Sequence, residues 1–250
     1  MTEEEYLKTY NPNKYEKPSV TTDILIFTVN ENHELELLLI KRGGHPYKGK
    51  WAIPGGFVNM TESLDDGAKR ELKEETGLSG DYHLEQLYTF GGVNRDPRMR
   101  VISVAYMALI PKAALLPRAG DDAAEAMFFR VSINDRELQL AGENKTLLTA
   151  KDLAFDHEEI ICTAWKRLAG KLDYTDLAFE FLNNKNDFTL GELRGIYECI
   201  KGQTIDAGNF AKMFRSKYLN TGIVSVITEE KESSSKTAPK HYYSRRPDAG

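Results

Sequence analysis

Gly56-Phe57-Val58-Asn59-Met60-Thr61-Glu62-Ser63-Leu64-Asp65-Asp66-Gly67-Ala68-Lys69-Arg70-Glu71-Leu72-Lys73-Glu74-Glu75-Thr76-Gly77-Leu78 reads as a loop that runs into a helix. Ser63 stands where it can cap that helix, with Asp66 three residues on in the capping-box position. Leu64, Ala68 and Leu72 recur at i, i+4 and i+8 as a buried stripe, and Gly77 is placed to end the helix in a left-handed conformation. The spacing i, i+3, i+4 puts Glu71, Glu74 and Glu75 on one face. Three like charges there destabilise a bare helix, whereas a hard divalent cation takes carboxylate oxygens and leaves sites open to phosphate. A solvated acidic face accounts for the triad alone, and Glu62 alone is explained as an anion at a helix start. Neither explains the joint spacing of Gly56, Glu62, the triad and Gly77. Arg70 reads as the forked partner of one of these carboxylates, its sequence neighbour Glu71 facing elsewhere, and Gly55 and Gly56 let the loop approach without a Cβ.

Working outward, Thr22 to Val29 and Glu34 to Lys41 predict a hairpin across the polar turn Asn30 to His33. Trp51-Ala52-Ile53 is a short strand stopped by Pro54-Gly55-Gly56. Strands are predicted at His83 to Phe90, Val101 to Leu109 and Ala126 to Val131, with a hairpin around Ala141 to Asn144 and an amphipathic helix from Glu158 to Leu172. Past this α+β part, Leu190 to Ile200 and Asp206 to Tyr218 predict two helices around Gly202-Gln203-Thr204. A strand at Ile223 to Ile227, a polar stretch and Tyr242-Tyr243 follow, which is the outline of a winged helix. The predicted organisation is one domain over 1–172, a linker or first helix over 173–187, and a winged-helix-like domain over 188–246.

The chain has 250 residues, 41% hydrophobic and 28% charged, with a net charge of −5, so no global charge drives it to nucleic acid or an anionic membrane. Cys162 and Cys199 fall in helical apolar patterns and are expected as free thiols in a reducing compartment. No apolar run is long enough for a membrane span, and the start lacks a signal-peptide pattern, so the expected place is the cytoplasm.

The box residues resemble the Nudix hydrolases at every fixed position. That resemblance implies an α/β/α sandwich and hydrolysis of a nucleoside diphosphate derivative with Mg²⁺ (or Mn²⁺). It implies Glu74 and Glu75 as metal ligands, Glu71 as ligand or base, and Glu71 and Glu75 as catalytic residues. Gly91 to Arg98 and Gly120 to Ala126 look like the matching regions of bacterial ADP-ribose pyrophosphatases, whose products are AMP and ribose 5-phosphate. Among Asp121, Asp122 and Glu125, Asp122 is taken first as the further catalytic acid. Arg95 and Arg98, with Gly56, are the candidate substrate-binding residues, because arginine forks onto phosphate; Arg100 is a further candidate. Tyr47 and Trp51 are candidates to stack on a base, although a tryptophan on a short apolar strand is usually core. His45, His83 and His157 show no zinc-ligand spacing.

The whole chain also resembles Nudix-related transcription regulators of NAD and sugar metabolism, through Phe188 to Leu193 and Ile205 to Phe210. From Ile205 onward basic residues outnumber acidic ones, as phosphate contact requires. Two readings follow. The first is Mg-dependent hydrolysis of ADP-ribose; the alternative is a regulator that senses ADP-ribose or a sugar and binds double-stranded DNA, expected as a homodimer because paired winged helices read two half-sites.

Overall fold

The structure, a computed structural model, describes residues 1–78, 80, 82–115, 123–134, 137–227 and 242–246. Helix α1 (Glu3–Thr9), not anticipated from the sequence, is closed by a Thr2–Glu5 capping box and buries none of its side chains. Strands β1 (Ser19–Val29) and β2 (Leu35–Arg42) form the predicted hairpin. Short strands β3 (Trp51–Ala52) and β4 (Gly55–Phe57) flank Ile53-Pro54 and pair with β2 and β1 respectively. Helix α2 (Leu64–Thr76) then starts on the Ser63 cap, whose Oγ accepts from the Asp66 N–H at 3.1 Å, and ends at Gly77 with φ 74°.

Strands β5 (His83–Phe90) and β6 (Val101–Leu109) follow, then β7 (Ala123–Asn134), β8 (Glu137–Gly142) and β9 (Leu147–Leu148). β7 is longer than predicted, because it pairs with β2 on one side and β8 on the other. The sheet order is β5-β6-β1-β2-β7-β8-β9, with β1 and β6 parallel. Its central strands are apolar on both faces, as a sheet covered on both sides must be. Ile24 and Ile26 of β1 point towards Ala68 and Leu72 of α2. Leu25 and Phe27 point the other way, into the cluster shared with Ile160, Ile161 and Leu168 of helix α3 (His157–Lys171). This is the expected α/β/α sandwich. Leu64 departs from the predicted stripe and is 37% exposed.

The second cluster does not stop at α3. It continues through Leu172 and a 3-10 turn, Leu177–Phe181, into β10 (Phe188–Thr189), α4 (Leu190–Lys201) and α5 (Ala207–Phe214), then β11 (Val224–Ile227) and β12 (Tyr242–Arg245). β12 lies between β10 and β11 in a three-stranded sheet. With α4 and α5 it makes the winged helix. The single helix predicted to Tyr218 is instead α-helical only to Phe214 and widens into a π turn over Arg215–Leu219. No described helix is long and apolar enough to cross a membrane, and Cys162 and Cys199 are free and half-buried.

Candidate functional site

The loop before α2 is pinned by its own arginine. Arg70 forks onto Glu62, Nε to Oε2 at 3.1 Å and Nη2 to Oε1 at 2.9 Å, and Nη2 also donates to the Phe57 carbonyl. Glu62 is further held by the Asn59 N–H, and with Arg70 this draws its pKa down to about 2. The same guanidinium reaches Glu71 Oε1 at 2.7 Å and Glu74 Oε2 at 3.2 Å. This corrects the expectation that Arg70 and its sequence neighbour Glu71 face apart: one Nη1 bridges two box carboxylates.

The triad divides by exposure. Glu71 and Glu75 are buried, while the Glu74 side chain is 54% exposed. Gly56 lies so close to Glu71 that a Cβ there would collide with Oε1. Burial raises the pKa of Glu71 against the pull of Arg70. Burial also raises Glu75 to about 7, with Glu71 and Glu74 adding to the effect. Among the described residues, Glu75 Oε2 is a buried acceptor with no hydrogen-bond partner. An all-oxygen anionic set with an unpartnered buried oxygen has the chemistry of a site for a hard divalent cation. Among the described residues, no three His, Cys, Asp or Glu side chains are gathered as a ready ligand cluster.

On the other side of Gly56 opens a cleft of about 240 Å³, whose lining includes Asp23, Arg42, Gly55, Gly56, Phe57, Arg95, Arg98, Phe155 and His157. Both predicted arginines are there, and each already meets a carboxylate of this chain. Arg95 forks onto Asp156 at 2.8 and 2.7 Å, with Asp23 3.5 Å away. Arg98 is held by Asp96 at 3.0 and 2.8 Å. Asp156 is the N-cap of α3, yet it makes no side-chain cap bond and gives its carboxylate to Arg95. Arg100 donates to the carbonyls of Gly91 and Gly92 and closes that loop. Trp51 is core, edge-on to Phe129.

Asp121 and Asp122 lie outside the described residues; Glu125 pairs with Lys41 at 3.6 Å. Sequence reasoning missed Asp23, Phe155, Asp156 and His157. Asp23 carried a legible signal, as a lone carboxylate in an apolar strand. His157 carried less. It is buried, its pKa is lowered by that burial, and Nδ1 accepts from the Ile53 N–H at 2.9 Å, so it is neutral with its proton on Nε2.

The Nudix domain model matches residues 20–150, and the model of the NrtR DNA-binding winged helix domain matches 178–244. The ADPR responsive transcriptional repressor NtrR of Acinetobacter baylyi is 35% identical over 233 residues, covering 92% of this chain and 83% of that protein. The ADP-ribose pyrophosphatase of Methanocaldococcus jannaschii is 37% identical over 147 residues, covering 59% of this chain and 73% of that one. Among solved structures, a MutT/nudix family protein from Enterococcus faecalis superposes with a TM-score of 0.79 at 33% identity, covering 98% of this chain and 94% of that one. Shewanella oneidensis NrtR complexed with a 27mer DNA superposes at 0.65 and 27%, covering 92% and 94%. These likenesses put the DNA-binding reading ahead of hydrolysis, reversing the order taken from the sequence. The chain belongs to the Nudix family, in the group that joins a Nudix domain to an NrtR-type DNA-binding winged helix.

Proposed function

We propose that this chain is a transcription regulator of the cytoplasm that binds double-stranded DNA through its winged helix and senses ADP-ribose through its Nudix domain. The observation that carries the reading is the single apolar core running from the sheet beside the cleft, along α3, into the winged helix. A ligand that moves α3 acts on the DNA-binding part through packed side chains. The resemblance to a repressor named for its ADPR response supports the choice of ligand. The units are 1–172 for sensing, 173–187 as connector and 188–246 for DNA. Exposed Lys212 and Arg215, near the end of α5, are the proposed phosphate contacts. A homodimer would present two such helices to two half-sites.

Arg95, Arg98 and Gly56 are the proposed ligand-binding residues, the two arginines exchanging part of their pairing with Asp156 and Asp96 for phosphate oxygens. The test is fluorescence anisotropy of the full chain on DNA from upstream of its own gene. Lys212→Ala with Arg215→Ala should weaken binding at least about tenfold and flatten its salt dependence, since each neutralised phosphate contributes about −0.9 to the log–log slope. Unchanged affinity in the double variant contradicts the assignment.

A second reading is favoured by the complete box and the unpartnered Glu75 Oε2: the domain also hydrolyses its ligand to AMP and ribose 5-phosphate, clearing the signal. Glu71 and Glu75, with Glu74 from the exposed edge, would hold Mg²⁺ (or Mn²⁺), and Asp122 is the proposed further acid. The bound ion would supply charge neutralisation on the pyrophosphate and activation of water. Incubation with ADP-ribose and Mg²⁺ should release AMP, and Glu75→Gln should abolish release. No AMP from the parent protein removes this reading and leaves the regulator standing.

A further inference from the structure

Between the end of α3 and the paired helices of the winged helix lies a second cavity, of about 300 Å³ against about 240 Å³ for the cleft beside Gly56. Ligand sites are usually about 300–1,000 Å³ and mostly apolar, with a few polar groups that fix orientation. Ile205, Phe210 and Met213 form the apolar wall of this cavity, and Tyr197 and Lys217 stand among its polar lining. Lys217 is carried by the π turn, a rare conformation that often marks a functional site.

Lys217 is a half-buried cation without an acid of its own. Burial draws its pKa down, and the two acids whose charge reaches it, Asp173 and Asp176, are engaged elsewhere, by Lys201 and Arg245. Among the described residues, no carboxylate lies within ion-pair distance of its Nζ, whereas buried charges are ordinarily paired. Nζ donates to the carbonyls of Leu172 and Thr175 at 2.7 Å each, which closes the end of α3. Its third bond, to the Tyr197 hydroxyl, is long at 3.3 Å. Closing α3 accounts for the first two bonds. It does not account for an open cavity between the cation and an apolar wall.

We infer that this cavity is a second ligand site, separate from the Nudix cleft, for a small organic carboxylate with a flat apolar body. The carboxylate takes over the long third bond of Lys217 and supplies the missing negative charge, as a charge-assisted hydrogen bond. The body lies against Phe210 and Met213, an aromatic ring and an adaptable thioether, both of which favour a flat π system. The site does not depend on what the Nudix cleft binds.

Isothermal titration of the full chain with benzoate, benzyl alcohol and acetate tests it, in the parent protein, in Lys217→Met and in Met213→Trp. Benzoate carries both the charge and the ring, benzyl alcohol only the ring, and acetate only the charge. Benzoate should bind at least about tenfold tighter than either, since a hydrogen bond to a charged group and the burial of a ring each contribute about that factor or more. Lys217→Met should bring benzoate down to the level of benzyl alcohol. Met213→Trp, which fills the cavity and leaves Lys217 in place, should abolish benzoate binding and decides the question should Lys217→Met misfold. Parent protein that binds no benzoate, acetate that binds as tightly as benzoate, or benzoate affinity unchanged in either folded variant overturns the inference.

Discussion

Glu75 is a carboxyl whose burial and acidic neighbours raise its pKa to about 7. Between the ordinary glutamate value of about 4.5 and that raised value, the folded state holds more protons than the unfolded one, so this residue's contribution to stability falls as pH rises. In chelator, Glu75→Gln should therefore melt higher than the parent at pH 8, with the gap closing towards pH 5. A gap independent of pH, read by thermal unfolding, contradicts the assignment. Gly56 tests the same site from the other side. An added Cβ collides with Glu71 Oε1, so Gly56→Ala should cost about 1–3 kcal/mol, the usual cost of overpacking. Gly44→Ala is the control: its Cβ would meet nothing within 4 Å, and denaturant titration should find it within about 0.5 kcal/mol of the parent.

Among the elements, α4 packs against the Nudix domain and meets its β1–β2 turn most closely at one glycine. Gly195, on its buried face, carries the imidazole of His33 from the β1–β2 turn where a side chain would stand. Gly195→Ala should destabilise the chain by about 1–3 kcal/mol, and His33→Ala should recover most of that in the double variant. Additive losses in a double-mutant cycle contradict the contact. This element-level pairing was not legible in the sequence, because a helix pattern gives a buried face without naming its partner. The α2 start, cap and carboxylate face were legible, since local spacing decides them. So was the β1–β2 hairpin. The cleft was half legible: Arg95 and Arg98 stood out as basic loop residues, but Asp23, Asp156 and His157 reach them only through tertiary packing. The α5 boundary was misjudged because the π turn keeps an apolar pattern through Tyr218 that periodicity reads as one helix.

At the scale of the molecule, α3 joins the two functions. Its first turn follows Phe155 and Asp156 at the cleft, and the carbonyls at its C-cap and just beyond are held by the winged helix, with Lys217 Nζ donating to the Leu172 and Thr175 carbonyls at 2.7 Å each. Nζ also donates to the Tyr197 hydroxyl, which pairs with that of Tyr218 at 2.6 Å. Lys217→Met removes these links while leaving Lys212 and Arg215 in place. It should leave DNA affinity without ligand within about threefold, and it should cut the response to ADP-ribose, the coupling being a free energy carried by packed and hydrogen-bonded contacts. The same coupling is reciprocal by thermodynamic necessity. The deciding measurement is the affinity of the full chain for DNA upstream of its own gene with and without saturating ADP-ribose, beside its affinity for ADP-ribose with and without that DNA. Each ligand should change the other's affinity by the same factor, at least about fivefold, the lower end of ordinary allosteric coupling. Specific DNA binding that is identical in the presence and absence of ADP-ribose contradicts it.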